Sequence, residues 1–382
     1  MKKEYLLSPG PTAVPENVLL KMAEPMIHHR TPQFSAIFVE VKKDLKYLFQ
    51  TEQEVLILAS SGTGAMESAI TNLFSENDKV LFVNGGKFGE RWGQISRTYG
   101  LEPIEVKVEW GSPVDVNAVA ELLDKDPDIK AVLVQASETS TTVAHPINEL
   151  AKLTGDRETL LVVDGITAVG VSDISMDKNG IDVLISGSQK ALMLPPGLSF
   201  IALSDKAWSF AEKSDLPKYY FDLKKENKNQ QAGKDTTAYT PAVSLIKGLA
   251  EVLKMVKEEG MENLFKRHRT LARATRAAVN ALGLKLLAPD SPADSATGAY
   301  VPDGVDGGKF VKFLRDDMGV TMAGGQDHLK GKIFRIAHLG YYDTFDVIIA
   351  ISAIEMALNK FGYKVEPGRG VAAAQKILIE RY

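Results

Sequence analysis

Six short apolar runs occur at residues 54–59, 79–83, 131–134, 160–163, 183–185 and 198–203, each closing on small or polar residues. They are rich in Val, Ile and Leu and do not alternate strictly with polar residues, which is the pattern of strands covered on both faces. Helical stretches such as 65–74 and 116–123 stand between them. That alternation predicts a doubly wound α/β unit with a mostly parallel sheet. In such sheets ligands bind beyond the carboxyl ends of the strands, so the residues just after each run are the ones to read for function.

The chain has 382 residues, which at about 100–200 residues per domain favours two domains. Beyond residue 283 the pattern predicts a smaller α/β unit, with strands near 298–301 and 332–337 and helices near 308–317 and 344–360. The Lys-, Asn- and Gln-rich stretch 222–235 has no apolar period and reads as an exposed loop. After Pro241 one long helical region through Ala281 carries Leu245, Leu249, Val252, Leu253 and Val256 on a continuous face, as a bridge between the units would. The expected division is an N-terminal segment 1–15 joining the active-site region, a large domain 16–260 and a small C-terminal domain 261–382.

Lys plus Arg total 45 against 49 Asp plus Glu, a net charge of −4, which argues against a surface built for nucleic acid or acidic lipid. The absence of cysteine removes disulfides, thiolate metal ligands and thiol nucleophiles. Only the Leu6-Leu7 pair precedes Ser8-Pro9-Gly10, too short for the apolar part of a secretion signal, and no run approaches the roughly 18 apolar residues of a membrane helix. A cytoplasmic protein with no membrane partner is expected. Six histidines are present without a His-Glu-x-x-His pattern, so no metal site is expected; His28-His29-Arg30-Thr31-Pro32 reads as a turn before Pro32.

The strand ends are more specific. Run 54–59 enters Ser60-Ser61-Gly62-Thr63-Gly64 and a helix start. A first helical turn has unpaired N–H groups and partial positive charge, and glycine lets backbone approach an anion, so a phosphate suits this place. Ordinary capping selects the same residue types. The third glycine of a dinucleotide fingerprint and the Gly-Lys-Ser/Thr of a P-loop are both missing. Run 160–163 ends in Asp164, and run 183–185 leads to Ser186-Gly187-Ser188-Gln189-Lys190. A bare Asp and Lys there would read as a salt bridge at the sheet edge. Beside a phosphate cup they also meet the needs of pyridoxal 5′-phosphate (PLP), whose aldehyde condenses with an amine and whose pyridine nitrogen pairs with a carboxylate.

The segments Asp164-Gly165-Ile166-Thr167-Ala168, Gly180-Ile181-Asp182-Val183, Ser186-Gly187-Ser188-Gln189-Lys190-Ala191-Leu192 and Pro195-Pro196-Gly197 together resemble class V PLP-dependent aminotransferases, in the branch of serine–pyruvate and alanine–glyoxylate aminotransferase. The resemblance runs from Ser8-Pro9-Gly10-Pro11-Thr12 through Arg335. It implies the aspartate-aminotransferase-like fold (fold type I), a large mostly parallel sheet domain plus a smaller C-terminal α/β domain, and a homodimer with shared active sites. It makes Lys190 the Schiff-base lysine and Asp164 the partner of the pyridine nitrogen. Ser61, Gly62 and Thr63 fall where the family holds the phosphate, with Gln189 also touching it. Thr139 falls where a hydroxyl reaches the ring's phenolic oxygen. Phe88 falls where an aromatic side chain stacks on the ring, a place where this branch often has Trp. Thr236 and Tyr239, in Thr236-Thr237-Ala238-Tyr239-Thr240-Pro241, fall on the segment that reaches the partner's phosphate site, with the register open. Arg335 falls on the strand whose arginine grips the substrate carboxylate.

The implied activity is ping-pong transamination through a pyridoxamine phosphate form, with serine or alanine as donor and glyoxylate or pyruvate as acceptor. Aminoethylphosphonate and ureidoglycine transaminases reuse the same cofactor residues and stay open. A non-catalytic subunit that keeps the fold is disfavoured by retention of Lys190, Asp164 and Arg335 together. Cysteine desulfurase is excluded by the absence of cysteine, and it places His where Gln189 stands.

Overall fold

The computed structural model describes residues 2–231 and 233–381. Its main sheet has seven strands: β1 (Val55–Leu58), β2 (Lys79–Asn84), β3 (Glu102–Lys107), β4 (Ala131–Gln135), β5 (Leu160–Asp164), β6 (Val183–Gly187) and β7 (Ser199–Leu203). Their order across the sheet is β1-β7-β6-β5-β4-β2-β3. Alternate residues serve opposite faces. Ile57, Leu81, Val83, Val132, Val134, Leu161 and Val163 enter one apolar cluster, while Leu56, Leu58, Val80, Phe82, Leu133, Leu160 and Val162 enter another. Both faces are dry, which is why the runs show no polar alternation.

Six of the seven strands coincide with the apolar runs, with two corrections. The run at 198–203 is not parallel: β7 pairs antiparallel with both β1 and β6. The link between β6 and β7 contains no helix, and a parallel return needs a crossover of roughly a dozen residues or more, usually helical. The strand β3 was not among the runs. It is a half-exposed edge strand, Glu-Pro-Ile-Glu-Val-Lys, and an edge tolerates both the charges and the missing N–H of Pro103.

The polar stretch 222–235 is also not simply a loop, because Leu223–Gln230 is helical. Asp222 caps it by accepting the Lys225 N–H at 3.0 Å. Gln230 is buried, with its amide exchanging two 3.0 Å hydrogen bonds with the backbone of Ile57 in β1. The face that carries Leu223, Glu226 and Gln230 is polar in composition, so apolar periodicity could not reveal it. The long helical region is two helices, α1 (Val243–Glu259) and α2 (Met261–Ala281), interrupted at Gly260, whose φ of 78° is cheap only for glycine.

Beyond α2 a second antiparallel sheet forms from Ala296–Tyr300, Ala323–Gly324 and Ile333–Ala337, with the last strand in the middle. It packs with helices Gly307–Asp316, Thr344–Lys360 and Arg369–Leu378 in its own apolar cluster, which Leu7 and Ala191 also enter. The N-terminus runs between the two parts: Tyr5 and Leu6 pair in parallel with Val320 and Thr321. No helix among the described residues is long and apolar enough to cross a membrane.

Candidate active site

The carboxyl ends of β4, β5 and β6 lie side by side, with Gln135 opposite Asp164 and Asp164 opposite Ile185. Asp164 is buried and its Oδ1 accepts the Ile166 N–H at 2.9 Å. Burial pushes its carboxyl up to about 6, and the charge of Glu138 adds to this, while the Ile166 hydrogen bond, Arg91 and Lys190 oppose it. Lys190 lies just past β6. Burial pushes its amine down to about 8 against the attraction of Asp164, with the positive charges of Arg335 and Arg91 acting in the same direction as burial. Its Nζ donates to the Pro9 carbonyl at 2.6 Å.

After β1, the helix Gly62–Leu73 begins behind Ser61, whose side chain makes no capping hydrogen bond. The first turn therefore keeps donors for another acceptor. A Cβ added at Gly187 would lie 3.2 Å from Gln189 Oε1 and 3.6 Å from the Gly62 nitrogen, so the lysine's neighbour and this helix start share one small space. Gln189 Oε1 is buried with no partner among the described residues. Thr63 Oγ1 accepts from Arg91 Nη1 at 3.0 Å, and the Arg91 guanidinium lies 5.0 Å from the centre of the half-buried Phe88 ring.

Thr139 Oγ1 lies 2.9 Å from Thr167 Oγ1, and the Thr139 carbonyl accepts from Arg335 Nη1 at 2.8 Å. Arg335 also donates from Nε (3.1 Å) and Nη2 (2.8 Å) to the Gly324 carbonyl. Burial lowers its guanidinium to about 10, and Glu138 pulls the other way. Hydrogen bonds, chain adjacency and electrostatic coupling thus link Ser61, Gly62, Thr63, Phe88, Thr139, Asp164, Gln189, Lys190 and Arg335 into one region. Among the described residues no hydrogen bond joins Thr236 or Tyr239 to it. Thr236 Oγ1 is buried without a partner among the described residues, and the Tyr239 hydroxyl donates to the Tyr219 carbonyl at 2.7 Å and accepts from Lys225 Nζ at 3.0 Å.

Two charged members were not singled out from the sequence. Arg91 stands three residues after Phe88, one turn along the same helix face, which was a legible signal. Glu138 directly precedes Thr139, but nothing local tells that its carboxylate points inward.

An amine and a carboxylate at adjacent strand ends, a helix start with unused amides and a nearby guanidinium suit an aldehyde-bearing aromatic phosphate. The residues present fit PLP.

The model of the family described as aminotransferase class-V matches residues 4–340. The chain is 44% identical over 382 residues to the soluble hydrogenase small subunit of Synechococcus sp., covering 98% of each. It is 37% identical over 390 residues to the serine–glyoxylate aminotransferase of Methylorubrum extorquens, covering 99% of this chain and 96% of that protein. Among solved structures, ureidoglycine–glyoxylate aminotransferase from Bacillus subtilis matches with a TM-score of 0.94 at 27% identity, over 99% of this chain and 98% of that one. With the family match spanning most of its length, this chain belongs to the class V aminotransferases: a PLP-dependent enzyme of fold type I that moves amino groups between amino acids and 2-oxo acids.

Proposed function

We propose that the donor is serine or alanine and the acceptor glyoxylate or pyruvate. The observation that carries this reading is the state of Arg335. Of the five N–H donors of a guanidinium, three are used on the Thr139 and Gly324 carbonyls. One N–H on each terminal nitrogen is left, and the Glu138 carboxylate favours the charged guanidinium. A buried cation held in place by neutral carbonyls is set to receive a carboxylate in two parallel hydrogen bonds. The glyoxylate named for two of the similar proteins supports a small acceptor.

PLP, when bound, supplies an aldehyde that takes the amino group and a ring that withdraws electrons from the substrate's α-carbon. Arg335 then holds the carboxylate and so orients the α-carbon. Lys190, whose amine burial pulls toward its neutral form, takes the α-proton at Nζ and gives it back. Asp164 holds a proton at the ring nitrogen. Thr139 offers a hydroxyl to the ring's oxygen, Phe88 covers one ring face, and Ser61, Gly62, Thr63 and Gln189 take the phosphate.

We further propose that two chains share each pair of sites, with Thr236 and Tyr239 serving the partner, and that the large and small domains, 16–260 and 261–382, meet at Gly260. Neither Thr236 nor Tyr239 is spent on its own Lys190 cluster, and Leu20, Met26 and Tyr219 are exposed at 71%, 69% and 77%, as interface residues of a single chain would be.

Donor choice is tested by giving the purified holoenzyme serine, alanine, aminoethylphosphonate or ureidoglycine one at a time, with glyoxylate or pyruvate, and quantifying the amino acid formed. Serine or alanine with glyoxylate is expected to give glycine at the highest kcat/KM. A higher value for aminoethylphosphonate or ureidoglycine would replace this reading with that substrate.

A further inference from the structure

Glu138 is fully buried between β4 and the helix Lys87–Thr98, and among the described residues no cation is paired with it. Among the described residues four donors reach its carboxylate. Oε2 accepts the N–H of Phe88 at 3.2 Å and of Gly89 at 2.9 Å, and Oε1 accepts the N–H of Ser140 at 3.1 Å and the Ser140 hydroxyl. Ser140 Oγ in turn accepts the Lys87 N–H at 2.9 Å. Three successive amides of one turn, at Lys87, Phe88 and Gly89, are thus tied to a bridge only three residues long. The approach is close: a Cβ at Gly86 would fall 2.3 Å from Ser140 Oγ and 2.5 Å from Glu138 Cδ. The middle residue of that bridge is Thr139, whose carbonyl holds Arg335 and whose hydroxyl meets Thr167.

A buried carboxylate with no cation in ion-pair contact is costly, and a helix start needs no charge so deep inside the protein to be capped. Its placement is explained by what it joins. We propose that Glu138 is a positioning residue of the transamination site: it fixes the Phe88 turn against the Thr139–Arg335 pair, so that the ring-covering side chain and the carboxylate-gripping guanidinium keep one spacing. The proposal rests on Phe88 covering the PLP ring, and it is independent of which amino acid is the donor.

Glu138→Gln separates this from a role in folding alone. The amide keeps one acceptor and turns an NH2 toward either the Phe88 and Gly89 amides or Ser140, so one set of donors loses its partner. Three readouts need no substrate: PLP dissociation constant, visible circular dichroism of bound PLP, and melting temperature of the apoprotein. The expected result is PLP binding weakened roughly tenfold, the value of one lost charge-assisted hydrogen bond, with a changed circular dichroism band. Both effects should be absent when the same substitution is added to Phe88→Ala, because the group acted upon is gone. Ser140→Ala, which loosens the same bridge while leaving the carboxylate in place, should reproduce both signs more weakly and serves if Glu138→Gln does not fold. The proposal is overturned if these variants lower the apoprotein melting temperature but leave PLP affinity and dichroism unchanged, or if the effects of Glu138→Gln and Phe88→Ala simply add. A different donor specificity would alter none of these readouts.

Discussion

Lys190 donates from Nζ to the carbonyl oxygen of Pro9 at 2.6 Å, across 181 residues of sequence. The N-terminal segment is anchored beside it twice more, by Thr12 N–H to the Gln189 carbonyl (3.2 Å) and Thr12 Oγ1 to the Lys190 carbonyl (2.9 Å). Between them Gly10 has φ 139°, and a Cβ there would lie 2.0 Å from Lys190 Nζ. Only glycine lets the strap pass this close to the reactive amine.

Gly10→Ala should therefore push the amine off its position. The expected outcome is a fall of at least about tenfold in the single-turnover rate with the best donor, the scale of one misplaced catalytic contact, while Lys190→Ala abolishes turnover. A normal single-turnover rate in Gly10→Ala would show that the strap's closeness has no part in catalysis.

Arg335→Lys keeps the charge but loses the fork and cannot span the Thr139 and Gly324 carbonyls together. A lost charge-assisted hydrogen bond is worth about 1.5–3 kcal/mol, so kcat/KM should drop by roughly ten- to over a hundredfold for every 2-amino acid. PLP content should stay near wild type. Steady-state kinetics with and without added PLP will separate the two; an unchanged kcat/KM would remove Arg335 from substrate binding.

Stability should decline on mild acidification. Burial lowers His145 to about 4, His338 to about 3 and His268 well below its usual value. In the unfolded chain each takes a proton near pH 6.5, whereas in the folded protein each stays neutral to much lower pH. Their contribution is therefore whole above pH 6.5 and is lost progressively below it, by up to about 1.4 kcal/mol per pH unit for each His. Asp164, raised to about 6, acts in the opposite sense below that pH. Urea midpoints between pH 7.5 and 5 should fall for the wild type and fall less for His145→Asn, whose amide oxygen can still accept the Val114 N–H that His145 Nδ1 accepts at 3.1 Å. Equal slopes would count against a neutral buried His145.

Subunit sharing predicts complementation. A Lys190→Ala chain mixed with a chain altered at both Thr236 and Tyr239 should form heterodimers with one good site, recovering up to about a quarter of wild-type activity at statistical exchange. Absence of recovery, with exchange demonstrated and each parent defective, would mean that the segment serves its own chain.

Much of this protein was legible from the order of its residues. Chain-local physics sets the strands: Val, Ile and Leu runs bury on both faces of a central sheet whatever else surrounds them, and Asp164, Lys190 and the Ser61-Gly62-Thr63 turn are read from their place just after such runs. Tertiary structure decided what depends on partners far along the chain. The direction of β7 follows from the lack of a crossover, and the helix at 223–230 exists because Gln230 completes the backbone of Ile57. The inward turn of Glu138 follows from the amides of Phe88 and Gly89, some 50 residues earlier, being within reach. Periodicity records whether a residue is apolar, and from that whether it is buried. A polar group's direction is set by which donors and acceptors the folded chain brings within hydrogen-bond distance, and no local pattern contains that information.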